Sequence, residues 1–398
     1  MRRNEIESLA HLQREIDAGH DLAGYTVQGV NLTGVRGLAQ ARLRGSVWLG
    51  CQLRKEHLDL LHRGGAMVFP EMDHLPYRPY RTRLYTVEEL MQGYADGGYT
   101  HTLDFAIYAH AHRQRRQPGG ITVAEALGQR IHDHAIDDAL GEFLADHGQR
   151  GVVGVMGGHG TARSDPYFRV VARITWQLTR AGYLVVSGGG PGVMEAANLG
   201  AWLAGHDDVG VVDRAIAMLV AADTMSGGHA EGTVAYLDAI QAYIRRARQV
   251  VQRLEHEPGA SLAVPTWFYG HEPSNLFATA IAKYFDNSIR EEGLLAVATA
   301  GVIYAPGSAG TMQELFQDLT QNHYATYGVR SPMVLLGSHR YQAELELLQR
   351  FVRDHGMEAT YGDLITLLDD DTAVVRFIRQ HPPRPVRHQP ALYEIATG

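Results

Sequence analysis

Gly301-Val302-Ile303-Tyr304-Ala305-Pro306-Gly307-Ser308-Ala309-Gly310-Thr311-Met312-Gln313-Glu314 joins an apolar run to a glycine-bearing turn and then to a helical pattern. An apolar run without polar alternation is the signature of a strand covered on both faces in a parallel sheet. The same order occurs twice more. Val152-Val153-Gly154-Val155-Met156 leads into Gly157-Gly158-His159-Gly160-Thr161-Ala162-Arg163, and the run from Tyr183 to Ser187 leads into Gly188-Gly189-Gly190-Pro191-Gly192-Val193-Met194-Glu195. Further apolar runs, at Ser261 to Val264, Pro332 to Leu336 and Leu364 to Leu368, alternate with helical patterns. The fold expected for 149–381 is therefore α/β: a Rossmann-like, doubly wound parallel sheet with helices on both faces.

Residues 1–148 read as an accessory N-terminal region. Ile6, Leu9, Leu12 and Ile16 have the spacing of a short helix over 4–18. The period then changes to five: Leu22, Val27 and Leu32, each followed two places later by glycine, and after a one-residue slip Leu38, Leu43, Trp48 and Leu53. This predicts a short pentapeptide-repeat-like segment over 20–55, with a pair of irregular hairpins as the alternative. Pro70, Pro76 and Pro79 mark a linker over 69–85, and 86–148 is expected to be helical. Thr122-Val123-Ala124-Glu125 is a capping box opening a helix that runs to about His147. Prolines at 382, 383, 385 and 390 predict an irregular tail over 382–398.

Composition excludes several functions. The chain has 398 residues, 45% hydrophobic and 20% charged, which is not the balance of a disordered protein. A net charge of −8 argues against a nucleic-acid partner. The longest apolar stretch, Leu294 to Pro306, is too short and too interrupted for a membrane span. Cys51 is the only cysteine, so disulfides and cysteine-based metal centres are excluded. With a polar start at Met1-Arg2-Arg3-Asn4-Glu5, the expected location is cytoplasmic.

Lys55 and Lys283 are the only lysines. Lys55 lacks a glycine loop and Lys283 reads as part of a helix, so neither suits a Schiff base or a P-loop. His110 with His112 and His132 with His134 are spaced by two on helical patterns, which separates the rings, and no metal is expected. The arginines between 245 and 253 read as a solvated helix face. GxGxxG is not matched, because Val193 stands where the third glycine belongs, which argues against a nicotinamide enzyme.

Loops that follow parallel strands emerge at one edge of a sheet, so the three glycine turns can converge on one ligand. Glycines let backbone N–H groups approach an anion, and each following helix adds unpaired donors and a partial positive charge, which suits a phosphate. If the third helix begins near Thr311, then Met312, Leu315, Phe316 and Leu319 form its buried stripe, and Glu314, Asp318 and Gln321 share the other face. Glu314 is then either a carboxylate beside the phosphate site or a partner for the helix dipole.

Pro306-Gly307-Ser308-Ala309-Gly310-Thr311-Met312-Gln313-Glu314 resembles the PGGxGTxxE signature of the Lonely Guy (LOG) family, nucleoside 5′-monophosphate phosphoribohydrolases often labelled lysine decarboxylases. Gly188-Gly189-Gly190-Pro191-Gly192-Val193-Met194-Glu195-Ala196-Ala197-Asn198 resembles the GGGPGxMEAAN form of larger bacterial members, a subgroup with an N-terminal extension. The resemblance implies hydrolysis of the N-glycosidic bond of AMP or a cytokinin riboside monophosphate to free base and ribose 5-phosphate. It implies a nucleotide as the small-molecule partner, no cofactor, and a homodimer or higher homo-oligomer.

Carried onto this chain, the resemblance makes Glu314 the catalytic carboxylate. It gives the 5′-phosphate to Gly307, Gly310 and Thr311 together with Gly189, Gly190 and Gly192; with the converging first turn, Gly158, Gly160, Met194 and Ser308 complete the expected nucleotide-binding set. Arg290 is the counterpart of the arginine in the family's RK pair, with Glu291 in place of the lysine and one extra position before the loop. Arg163 is a second arginine candidate or a surface charge. Asp286 and Asn287 are ribose contacts or a helix cap. The alternative function is a non-catalytic nucleotide-binding carrier or sensor that uses the same cradle.

Overall fold

In the N-terminal part the five-residue period becomes a stack of short parallel strands. The computed structural model describes residues 4–269 and 272–386. Strands β1 (Glu5–Ile6), β2 (Thr26–Gln28), β3 (Val47–Leu49) and β4 (Met67–Phe69) pair in that order, all parallel. Because Thr26 faces Val47 and Val47 faces Met67, each coil takes up roughly four of the five-residue steps. Leu22, Val27, Leu32, Leu38, Leu43 and Trp48 are all buried in one cluster, with Leu53 half-buried at its margin. Ile6, expected in a helix, is instead in β1, where Thr26 N–H donates to Asn4 O. The helix itself, Leu9–Asp17, is shorter and begins at a Ser8 cap. Extending a coil stack satisfies backbone groups that an isolated short helix leaves open.

The chain separates into two units. One comprises the residues up to Leu84 with Arg113–Leu140; the other comprises Tyr85–His112 with the chain from Gly141 onward. In the first unit, the helix Val123–His147 opens with Thr122 Oγ1 accepting from Glu125 N–H at 3.2 Å. The Glu125 carboxylate turns inward to accept from Tyr77 Oη and Gln129 Nε2.

The second unit is built on seven parallel strands, β5 (Val152–Met156), β6 (Leu184–Ser187), β7 (Ser261–Ala263), β8 (Ala280–Ile281), β9 (Gly301–Tyr304), β11 (Met333–Leu336) and β12 (Ile365–Leu368). Their order is β12-β11-β9-β5-β6-β7-β8, so the chain builds β6, β7 and β8 to one side of β5 and then returns to add β9, β11 and β12 on the other. Val153, Val155, Val185, Ile303, Val334 and Leu336 pack on one face against the helices Pro166–Arg180, Val193–Trp202, Gly210–Leu219 and Asp371–Gln380. On the other face Gly154 approaches Ala298, at the end of the helix Asn287–Val297, and Tyr304 reaches Asp318 of the helix Ala309–Tyr324. The sheet is thus wound on both sides, as the apolar runs predict. A separate two-stranded sheet pairs β10 (Val329–Arg330) with β13 (Arg384–Pro385), so the expected irregular tail begins with a strand; residues 387–398 lie outside the described residues.

Tyr85–His112, expected with the N-terminal region, belongs to the sheet unit. Tyr85 exchanges both backbone hydrogen bonds with Ile281, and Asp104 enters the core. One Asp104 oxygen accepts from Lys283 Nζ and Trp267 Nε1, each at 2.8 Å, and the other from Ser274 Oγ at 2.8 Å. Lys283 is therefore in the extended segment after β8 rather than in a helix, and is 2% exposed. The helical pattern misleads because a buried lysine in a strand needs a distant carboxylate that no local spacing records. Among the described residues no helix is long and apolar enough to cross a membrane.

Replacing Asp104 with alanine leaves Lys283, Trp267 Nε1 and Ser274 Oγ without their acceptor inside the core. Chemical unfolding of Asp104→Ala is expected to show a loss of about 3–5 kcal/mol.

Candidate active site

The turns that follow β5, β6 and β9 lie side by side because those strands are neighbours in the sheet. Their backbones touch: Gly158 N–H donates to Pro306 O at 3.0 Å and Val193 N–H donates to Gly158 O at 3.1 Å. Gly192 has φ +70°, and a Cβ there would sit 2.3 Å from the Gly158 carbonyl oxygen, so only glycine fits. Gly307 also comes near, a Cβ on it meeting Thr311 Oγ1 at 2.1 Å and Gly158 N at 3.1 Å. Gly189 and Gly190 also take positive φ, while Gly160 and Gly310 border open space.

The three helices that follow are not equivalent. Pro166–Arg180 is closed by its own Asp165, whose side chain accepts from Tyr167 N–H. Val193–Trp202 starts at Gly192 and Ala309–Tyr324 at Ser308, and neither start has a side-chain capping bond among the described residues. Two helix N-termini without side-chain caps therefore come together, each with a partial positive charge; the first N–H of the Val193 helix is already given to Gly158 O, and those after it remain. Met194 is half-buried, with its sulfur 2.7 Å from where a Gly188 Cβ would stand; Arg290 Nη1 is 3.8 Å from the same point.

Glu314 lies in the second turn of its helix and keeps 16% of its side chain exposed. Arg290 Nη1 is 4.0 Å from Glu314 Oε1. Burial pushes the Glu314 carboxyl up to about 7, with Arg290 opposing the rise and Glu291 adding to it. Arg290 itself is 12% exposed, and its Nε is buried without a hydrogen-bond partner among the described residues. A carboxylate that titrates near neutrality beside a guanidinium can, when ionised, accept a proton or stabilise a cation and, when protonated, donate a proton.

Other expectations are corrected. The buried side of the Glu314 helix carries Thr311, Leu315, Asp318, Leu319 and Asn322, whereas Phe316 is exposed and Met312 only partly covered. Asp318 is buried because the Tyr304 hydroxyl inside the sheet needs an acceptor: Tyr304 Oη donates to Asp318 Oδ2 at 2.8 Å. Burial also raises the Asp318 carboxyl to about 7.

Arg163 is fully buried, neither a surface charge nor open to a ligand. Its Nε donates to Glu195 Oε2 at 2.9 Å, its Nη2 to Glu195 Oε1, and its Nη1 to the carbonyls of Ala222 and Tyr243. The Tyr243 hydroxyl donates to the same carboxylate. Asp286 caps the Arg290 helix by accepting from Ser288 N–H, and Asn287 donates to Tyr269 Oη at 2.8 Å.

Several residues of this cleft escape sequence reasoning. Asn198 ties Ser187, Ser261 and Asn275 together, and Asn275 Nδ2 would lie 3.3 Å from a Gly190 Cβ. Glu272 is raised to about 7 by burial, with Lys283 and Arg290 opposing. The signal available was the aperiodic, aromatic-rich stretch between Pro265 and Phe277, which joins two strands without a helix. Among the described residues no group of three or more His, Cys, Asp or Glu is arranged to hold a metal ion.

Residues 246–378 match the family model described as "Possible lysine decarboxylase". That span contains Arg290, the third glycine turn and Glu314, and begins after the first two turns. No curated protein matches the chain. Among solved structures, the molybdenum cofactor binding protein of the phototrophic bacterium Rippkaea orientalis is similar at 13% identity and TM-score 0.34, covering 58% of this chain and 96% of its own. The molybdenum cofactor carrier protein of Chlamydomonas reinhardtii is similar at 13% identity and TM-score 0.31, with the same coverage.

The contact between turns makes Gly192 the most restricted of the glycines in the three turns. Gly192→Ala is expected to lose about 2–4 kcal/mol in chemical unfolding, from strain at positive φ and from overlap with Gly158 O. Gly310→Ala, in a helix and facing open space, should stay within about 1 kcal/mol of the parent.

Proposed function

We propose that this chain hydrolyses the N-glycosidic bond of a nucleoside 5′-monophosphate, releasing the free base and ribose 5-phosphate. The observation that carries this reading is a carboxylate raised to about 7 in the second turn of an uncapped helix, 4.0 Å from a guanidinium. An anion cradle alone would serve any phosphate compound; a carboxylate beside it is unfavourable for the anion and suited to a developing positive charge. The likeness of the third turn to the LOG signature points the same way.

In this reading the 5′-phosphate sits against the turns Gly307–Thr311 and Gly189–Gly192, taking the N–H groups of Ser308, Gly310, Thr311 and Gly190, while the Gly189 N–H is held by Ser187 Oγ and Gly192 and Gly307 let the turns close, with Gly158, Gly160 and Met194 shaping the wall. The C1′–N bond breaks with its electron pair leaving on the base, and positive charge builds on the ribose. Ionised Glu314 stabilises that charge and takes a proton from the water whose oxygen bonds to C1′. Arg290 holds the leaving side through its planar fork, and the departing base collects a proton from solvent. A carrier would bind the same ligand unchanged, and has no use for Glu314.

Incubation with AMP, GMP, CMP, UMP and isopentenyladenosine monophosphate, followed by chromatography of base and ribose 5-phosphate, should show turnover of at least one. Tight binding with the nucleotide intact after hours would instead establish a carrier. Glu314→Gln should lower kcat by about 100-fold or more while nucleotide still binds.

A base is active when deprotonated, so kcat should rise with pH through a limb near 7. The residual activity of Glu314→Gln should lack that limb. A wild-type profile flat from pH 5.5 to 8.5 would remove Glu314 from the role.

A further inference from the structure

The rings on either side of the strand ends are hidden, with Trp267 and Tyr284 each 1% exposed and Tyr304 0%. Phe268 and Tyr269 are each 50% exposed, in the segment that joins β7 to β8. Yet the Tyr269 ring is fixed. Its hydroxyl accepts from Asn287 Nδ2 at 2.8 Å and donates to Glu291 Oε1 at 3.3 Å, and the Phe268 ring stands edge-on to it, centroids 5.4 Å apart at 89°.

Those partners attach the ring to the catalytic pair. Asn287 opens the helix that carries Arg290, and Glu291 follows Arg290 directly. The second Glu291 oxygen accepts from Gln313 Nε2 at 2.8 Å, and Gln313 precedes Glu314. A lysine at 291 could accept neither bond. The substitution that sets this chain apart from the RK pattern is therefore what holds an exposed tyrosine beside the pair Arg290 and Glu314.

We propose that Tyr269, supported by Phe268, is the platform on which the leaving base stacks. The proposal rests on the nucleotide-hydrolase reading above. A ring pinned at its hydroxyl presents its face in one orientation and loses little freedom when a base lies on it. The bicyclic purines cover more of that face than a pyrimidine, so the gain is greater for AMP and GMP than for CMP and UMP.

The test measures binding of AMP, CMP and ribose 5-phosphate by calorimetry on the full chain, with Glu314→Gln as the background so that AMP stays intact. AMP is expected to bind at least about tenfold tighter than ribose 5-phosphate, with CMP between them. Tyr269→Ala should weaken AMP about tenfold and leave ribose 5-phosphate within about twofold, while Tyr269→Phe keeps most of the AMP affinity. The platform is overturned if Tyr269→Ala weakens both ligands alike or neither, if Tyr269→Phe loses as much as alanine does, or if CMP binds as tightly as AMP. Binding of ribose 5-phosphate with no gain for AMP would remove the platform and leave the phosphoribose cradle standing. No binding of any of the three would remove both.

Discussion

Everything in the cleft depends on how closely three backbone turns approach one another. Gly158 donates to Pro306 and accepts from Val193, so the turn after β5 is bonded to the turns after both of its neighbours. Gly192 and Gly307 make that approach possible because neither has a side chain to hold the strands' ends apart. The approach brings two helix N-termini together without capping side chains. A single uncapped end leaves donors to water; two facing one small space suit an anion, which is the basis of the proposed phosphate site.

The walls around this cradle are braced by buried charges that are fully engaged. Arg163 and Glu195 neutralise each other, and Tyr243 occupies part of the same carboxylate. Lys283 and Asp104 do the same on the far side of the segment that carries Tyr269. Burying such pairs adds little net stability, since desolvation offsets much of the attraction, but removing one partner is costly. With these charges engaged internally, the field in the cleft is set by the helix ends, Arg290, Glu314, Glu291 and Glu272.

The strands and turns were legible because continuous apolar runs and glycines act locally. The strand over Gly301–Tyr304, the turn to Gly310 and the placement of Glu314 on the first turns of a helix all follow from neighbouring residues. The five-residue spacing from Leu22 to Trp48 was legible for the same reason. Arg163, Asp318 and Lys283 were misread because each depends on a partner far along the chain or on another element: Glu195, Tyr304 and Asp104. No local pattern reveals that a charge will be satisfied. The membership of Tyr85–His112 in the sheet unit escaped notice likewise, since Tyr85 pairs with Ile281 nearly two hundred positions later.

The central claim is geometric: one phosphorylated ribose spans the joined turns with its anomeric carbon toward Glu314. A crystal structure of the protein soaked with ribose 5-phosphate tests it most directly. The account predicts phosphate oxygens on the backbone N–H groups around Gly190–Gly192 and Gly307–Thr311, and C1′ within contact of the Glu314 carboxylate. Phosphate bound away from these turns, or a sugar whose C1′ faces away from Glu314, would contradict it.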